Sequence, residues 1–166
     1  NASKFNLRKI VDHSLLLLDS SFKEKNLQII NQMYEEVIAF ADPNLIEVAV
    51  RNILNNAAKF SNAGGSVLIF SEKSNDHIRM CIQDHGVGMS EFQIKSILAD
   101  SYSITKSKPG TQKEKGSGLG LQLTKEFVRK NGGELNIESQ IGVGTKFCIQ
   151  LPNTSSSFNL ETVQLQ

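Results

Sequence analysis

The sequence predicts an α+β fold, a two-layer α/β sandwich in which about three helices cover one face of a mixed, mostly antiparallel sheet. Three observations carry this expectation. Helical and strand-like stretches are intermixed without a βαβ rhythm. Neighbouring strand candidates are joined by short polar turns, around Ser74-Asn75-Asp76 and over Gln140–Gly144, as in hairpins. The clearest helical stretches carry their apolar residues along one stripe. The chain has 166 residues, 39% of them hydrophobic, enough for the core of one soluble domain, which we assign to residues 1–152. Residues 153–166 begin serine-rich and read as a tail or linker.

Taken in order, Phe5–Leu18 places Leu7, Ile10, Val11, Ser14, Leu15 and Leu18 at helical spacing, which predicts a first amphipathic helix. Leu27–Ile30 and Glu36–Phe40 are short strand candidates. Asp42-Pro43 then supplies an N-cap acceptor and a proline at the first helical position. The helix it starts runs to about Ser61, where Ser61-Asn62-Ala63-Gly64-Gly65 stops it. One face is apolar (Ile46, Val50, Ile53, Ala57, Phe60), and Asn52, Asn56 and Lys59 align on another. Strands follow at Ser66–Lys73 and His77–Asp84. In the second, Ile78, Met80 and Ile82 share a face, and Asp84 is the next residue on it. An inward carboxylate is costly unless something donates hydrogen bonds to it.

Glu91–Leu98 predicts a short helix, and Ser101–Lys115 is too polar to pack by itself, so it is either disordered or a functional lid. Gly116-Ser117-Gly118-Leu119-Gly120-Leu121 opens the helix Leu119–Lys130, which Asn131-Gly132-Gly133 ends. Those glycines suit either a phosphate cradle at a helix N-terminus or a plain turn. Strands Glu134–Ser139 and Thr145–Leu151 complete the domain, and Pro152 closes it.

Composition narrows the function. A net charge of +1, from 18 basic and 17 acidic residues, offers no electrostatic footprint for nucleic acid or an anionic membrane. No run reaches bilayer length, and no signal-peptide pattern opens the chain; its first residue is Asn, which reads as a fragment of something longer. Cys81 and Cys148 lie in strand-like runs and read as small buried hydrophobes in a reducing compartment rather than a disulfide or metal pair. The long polar loop ahead of the glycines argues against a Rossmann fold or a P-loop, whose glycines follow a strand directly.

Four separated stretches form one pattern: Asn52-Ile53-Leu54-Asn55-Asn56-Ala57-Ala58-Lys59-Phe60-Ser61, Asp84-His85-Gly86-Val87-Gly88, Gly116-Ser117-Gly118-Leu119-Gly120-Leu121 and Gly142-Val143-Gly144-Thr145. In order and spacing they resemble the N, G1, G2 and G3 boxes of the ATP-binding catalytic domain of sensor histidine kinases, over about Phe5 to Pro152. That family has the Bergerat fold and belongs to a superfamily shared with DNA gyrase, mismatch-repair ATPases and a chaperone.

The resemblance implies ATP and Mg²⁺ as ligands and a role for each matching residue. Asn56 would ligate Mg²⁺ through its amide oxygen, the triphosphate and water supplying most other ligands. Asn52 would support that site, and Lys59 would reach a phosphate as a mobile point charge. Asp84 would accept a hydrogen bond from the adenine amino group, the other reading being a core aspartate satisfied by backbone, and Gly86 and Gly88 would let the chain pass close to the base. Thr145 would lie at the pocket floor, or is equally read as a core residue. Phe60 is read either as an aromatic beside the purine or as a core residue. Gly116, Gly118, Leu119, Gly120 and Leu121 would cradle the phosphates, with Lys106, Lys108, Lys113 and Lys115 as candidates for the γ-phosphate. The lid has no arginine where the family places one, and Phe92 and Tyr102 match the family's phenylalanine-centred box poorly.

The same resemblance implies phosphoryl transfer to a histidine on a separate helical dimerisation domain. His13, His77 and His85 lack the acceptor context, and His85 reads as a neighbour of the nucleotide pocket. Hydrolysing members of the superfamily carry a glutamate at the position of Asn52, and an amide cannot act as a general base. A superfamily ATPase, a degenerate nucleotide-binding scaffold and an anti-sigma-type serine kinase are the alternatives. The implied partners are the helical phosphoacceptor domain of the same protein and a response-regulator receiver domain. The implied setting is the cytoplasmic portion of a membrane-bound bacterial sensor, a homodimer as the parent and a monomer as this fragment.

Overall fold

Five strands in the order β2-β4-β5-β7-β6 form the main sheet, with β2 and β4 parallel and every other neighbouring pair antiparallel. The computed structural model describes residues 1–99 and 119–158. Its elements are β1 (Ser3–Asn6), α1 (Leu7–Leu17), α2 (Asp19–Glu24), β2 (Gln28–Asn31), β3 (Ile38–Ala41), α3 (Pro43–Phe60), β4 (Ser66–Lys73), β5 (His77–Asp84), α4 (Glu91–Leu98), α5 (Gly120–Lys130), β6 (Glu134–Gln140) and β7 (Gly144–Pro152). The expected α+β sandwich is what forms.

Alternation within the strands explains the layering. Val67 and Ile69 of β4, Ile78, Met80 and Ile82 of β5, and Phe147, Ile149 and Leu151 of β7 are buried in one cluster with Ile46, Val50, Ile53 and Leu54 of α3 and Val128 of α5. The other face of the sheet carries charged cross-strand neighbours, Lys146 with Glu138 at 2.8 Å and Arg79 with Glu72 at 3.6 Å.

Three local readings change. The N-terminal helix starts at Leu7, because the Asn6 side chain caps it by accepting from the Arg8 N–H at 3.1 Å. The residues before it form β1, which pairs with β3, a partner more than thirty positions away that periodicity within one segment does not reveal. The short helix α2 was not expected. Beyond Pro152 the chain still packs: Asn153 donates to the carbonyls of Ser74 and Asn75 at 3.3 Å each, and Phe158 meets Phe40 edge to face with centroids 5.5 Å apart.

The cysteine reading is corrected. The β5–β7 register sets Cys81 directly opposite Cys148, with Cα atoms 4.1 Å apart, and the two form a disulfide. Both are buried, as expected, but read one strand at a time they showed no sign of facing each other. Directly opposed residues at the closely spaced rungs of an antiparallel pair have their side chains within bonding reach.

Candidate functional site

Helix α3 brings the asparagines to the edge of a second helix. Asp42 caps its start, accepting from the N–H groups of Asn44 and Leu45 at 3.0 and 3.4 Å. About two turns before the helix C-terminus, Asn52 donates through Nδ2 to the Gly120 carbonyl at 3.2 Å and approaches Thr124 Oγ1 at 3.5 Å. The first turn of α5 is thus tied to α3. Its N-cap, Leu119, makes no side-chain cap, and the first turn of α5 holds no acidic residue, so the opening of α5 carries the positive end of the helix dipole. Asn56 is half-buried, and its amide makes no hydrogen bond among the described residues.

The other wall is built from the end of β5. Asp84 is buried at 4% exposure, yet its carboxylate is held: Oδ1 accepts from the Gly86 N–H at 2.9 Å and the Thr145 N–H at 3.2 Å. Oδ2 accepts no hydrogen bond among the described residues. Burial pushes the carboxyl above the ordinary Asp range, opposed by those two N–H groups and more weakly by His85. The inward carboxylate that the strand pattern predicted is therefore half satisfied by backbone, with one oxygen left over.

Close backbone contacts fix this wall. A Cβ on Gly86 would lie 2.1 Å from the Phe60 carbonyl oxygen, and one on Gly88, whose φ is +70°, 2.0 Å from that of Gln140. The Val87 N–H donates to the Phe60 carbonyl at 3.2 Å. Thr145 is buried beside Asp84, and its hydroxyl pairs with Ser139 Oγ at 2.8 Å. Ser139 also donates to the Gly144 carbonyl at 2.9 Å and accepts from the Met89 N–H at 2.7 Å. Ser139 was absent from the sequence reading; its one signal is the register that pairs it with Thr145.

Of the expected site residues, Asn52, Asn56, Phe60, Asp84, Gly86, Gly88, Gly120 and Thr145 gather around the α3 C-terminal half, the β5 end and the α5 start. Lys59 differs from its expected form. It is 9% exposed, with Nζ 5.2 Å from the Phe60 ring centroid, so it sits against the domain rather than sweeping freely. Leu121 packs against the core, whereas Leu119 is 44% exposed at the helix opening. Gly120 is not forced by crowding here, since a Cβ would meet Asn52 only at 3.7 Å. His85 turns to Ser66, with Nδ1 3.4 Å from its hydroxyl. Lys106, Lys108, Lys113, Lys115, Gly116, Gly118 and Tyr102 lie outside the described residues.

Residues 41–155 match the family described as histidine kinase-, DNA gyrase B-, and HSP90-like ATPase. The chain belongs to that family. It is an ATP-binding domain of this ATPase family. Among curated relatives, hybrid signal transduction histidine kinase B of Dictyostelium discoideum is 27% identical over 96% of this chain, and sporulation kinase E of Bacillus subtilis is 29% identical over 87%. The chain spans only 8% and 19% of those proteins. Two solved structures share the fold. The catalytic domain of histidine kinase ThkA superposes with a TM-score of 0.79 at 21% identity, covering 95% of this chain and 99% of that one. ThkA in complex with response regulator TrrA gives 0.73 at 19% identity, covering 92% and 42%.

Proposed function

We propose that this chain is the catalytic domain of a sensor histidine kinase, which binds Mg·ATP and passes the γ-phosphoryl group to a histidine on a separate helical dimerisation domain. The observation that carries this reading is Asp84, a buried carboxylate with one oxygen fixed by two backbone N–H groups and the other left to accept. An adenine amino group is the donor such an oxygen discriminates for, and guanine presents a carbonyl there instead. Phosphates extending from a base at Asp84 would run toward Asn56 and the open start of α5.

The residues present fit a hard cation. Among the described residues no cluster of three or more His, Cys, Asp or Glu could hold a metal alone, so the protein's share falls to the Asn56 amide oxygen. A magnesium ion there would screen the phosphoryl charge during transfer. Asn52 orients the first turn of α5 through Gly120 and supplies no base, which favours transfer to a positioned nucleophile over attack by water. Support for partners is of the same kind: a kinase with this fold has been seen with a response regulator, and the phosphoryl group would pass on to such a receiver domain. We place this domain in the cytoplasmic part of a homodimeric sensor.

The test supplies the chain with a helical acceptor domain and γ-labelled ATP. Label retained on histidine, labile to acid and stable to base, is the expected product; tight ATP binding with no labelled histidine on the native acceptor would sink the proposal. Asn56→Ala is expected to weaken ATP binding in Mg²⁺ by about 10- to 100-fold. With Mg²⁺ chelated, the variant and the parent chain should bind ATP alike in a fluorescent-nucleotide titration.

A further inference from the structure

Helix α3 ends at Phe60, which leaves the carbonyls of its last four residues without partners inside the helix. Each finds one elsewhere. The Ser61 N–H donates to Ala57 O at 3.1 Å, and the Val87 N–H donates to Phe60 O at 3.2 Å. Between them, the Lys25 ammonium donates to Ala58 O at 2.9 Å and to Lys59 O at 2.6 Å, and Nζ lies 3.4 Å from Ser61 O. Lys25 is 4% exposed, a buried cation against the negative end of the helix dipole.

What this end of α3 carries is the proposed nucleotide site. Phe60 is the seat on which Gly86 packs so closely that no Cβ fits, and the Gly86 N–H in turn holds Asp84 Oδ1 at 2.9 Å. A last turn that frayed would release Val87 first and then the N–H that fixes the carboxylate. We infer that Lys25 is a positioning residue for nucleotide binding, its buried ammonium locking the last turn of α3 where Gly86 and Val87 seat on it and Asp84 is held. The inference rests on Asp84 reading the adenine base, as proposed above. Lys25 touches no nucleotide; it acts through α3.

Lys25→Met removes the donor while keeping the length of the side chain, and Lys25→Arg keeps a cationic donor. In the full chain, Lys25→Met is expected to bind ATP about tenfold more weakly and to exchange the Val87 amide about tenfold faster in the absence of nucleotide. Lys25→Arg is expected to restore both. A purely structural lysine would lower the melting temperature of Lys25→Met yet leave ATP affinity and Val87 exchange unchanged well below melting. That result overturns the inference. Should Lys25→Met not fold, Lys25→Gln, whose amide can still donate to one carbonyl, is judged by the same two measurements. If the parent chain binds no ATP, the fault lies with the adenine reading of Asp84, whereas Val87 exchange still decides for or against Lys25.

Discussion

Asp84→Asn is expected to fold normally and to lose ATP affinity by at least about 100-fold, because the amide cannot present an acceptor on both sides. The two N–H groups of Gly86 and Thr145 require an acceptor at the Oδ1 position. An asparagine must therefore put its oxygen there and aim its NH₂ at the adenine amino group, donor against donor. Stability should hold or rise. The carboxyl is shifted upward in the fold, so between its unfolded and folded pKa values the native state binds more protons than the unfolded one. Stability from this group therefore falls as pH rises through the folded value, and at neutral pH the ionised Asp84 is a net cost that an amide removes. The same shift makes ATP binding by the parent chain acid-sensitive. With Oδ1 engaged, the proton goes to Oδ2 and turns the acceptor into a donor, so affinity should fall as pH drops through the raised value. Calorimetric titration of both chains between neutral and mildly acidic pH checks this; an Asp84→Asn protein that binds ATP as well as the parent does would remove adenine recognition from this carboxylate.

Reduction of the Cys81–Cys148 disulfide is expected to lower the unfolding free energy by about 4 kcal/mol, the magnitude associated with releasing a loop of this length. The two cysteines are 67 positions apart, so the bond closes most of the chain from β5 through β7 into one ring. Both strands lie inside the sheet, flanked by β4 and β6, and both sulfurs are buried. A reductant therefore reaches the bond only when the strands part, and reduction should follow unfolding rather than precede it. Guanidinium denaturation with and without a phosphine reductant, beside the Cys81→Ala/Cys148→Ala double variant, measures the difference. Coincident curves, together with two alkylatable thiols in the native protein, would contradict the bond.

Much of this architecture was legible because the signals were local. Asp42-Pro43 marked the start of α3, the turn at Ser74–Asp76 bounded β4 and β5 to the residue, and the alternation ending in Asp84 pointed at the site before any fold was known. What stayed hidden depends on distant partners. β1 exists because Ser3–Asn6 finds Ile38–Ala41, the disulfide because of the β5–β7 register, and Ser139 joins the site because it lies opposite Thr145. Lys25 was the most opaque. In the run Lys23-Glu24-Lys25-Asn26 it looks like any solvated cation, and distant partners lay it under the end of α3: the Gly64 N–H donates to its carbonyl at 2.8 Å, and β2 pairs with β4 just beyond. The burial of Lys59 beside the Phe60 ring was likewise not visible from its place on the asparagine stripe.

The close contacts at Gly86, Gly88 and Gly144 have a consequence for how the protein comes into being. Gly86 rests on Phe60, Gly88 on Gln140, and Gly144 on the carbonyl of Asp84, where a Cβ would come within 2.2 Å. The wall around Asp84 is thus assembled from segments synthesised early, midway and late, and its final member is the start of β7. Sequence-distant contacts of this sort close slowly. A nascent chain that has emerged only through α5 holds both asparagines and Asp84 yet lacks the Thr145 N–H that fixes the carboxylate. Under the proposed adenine reading of Asp84, ATP is expected to bind completed molecules and not partly made ones.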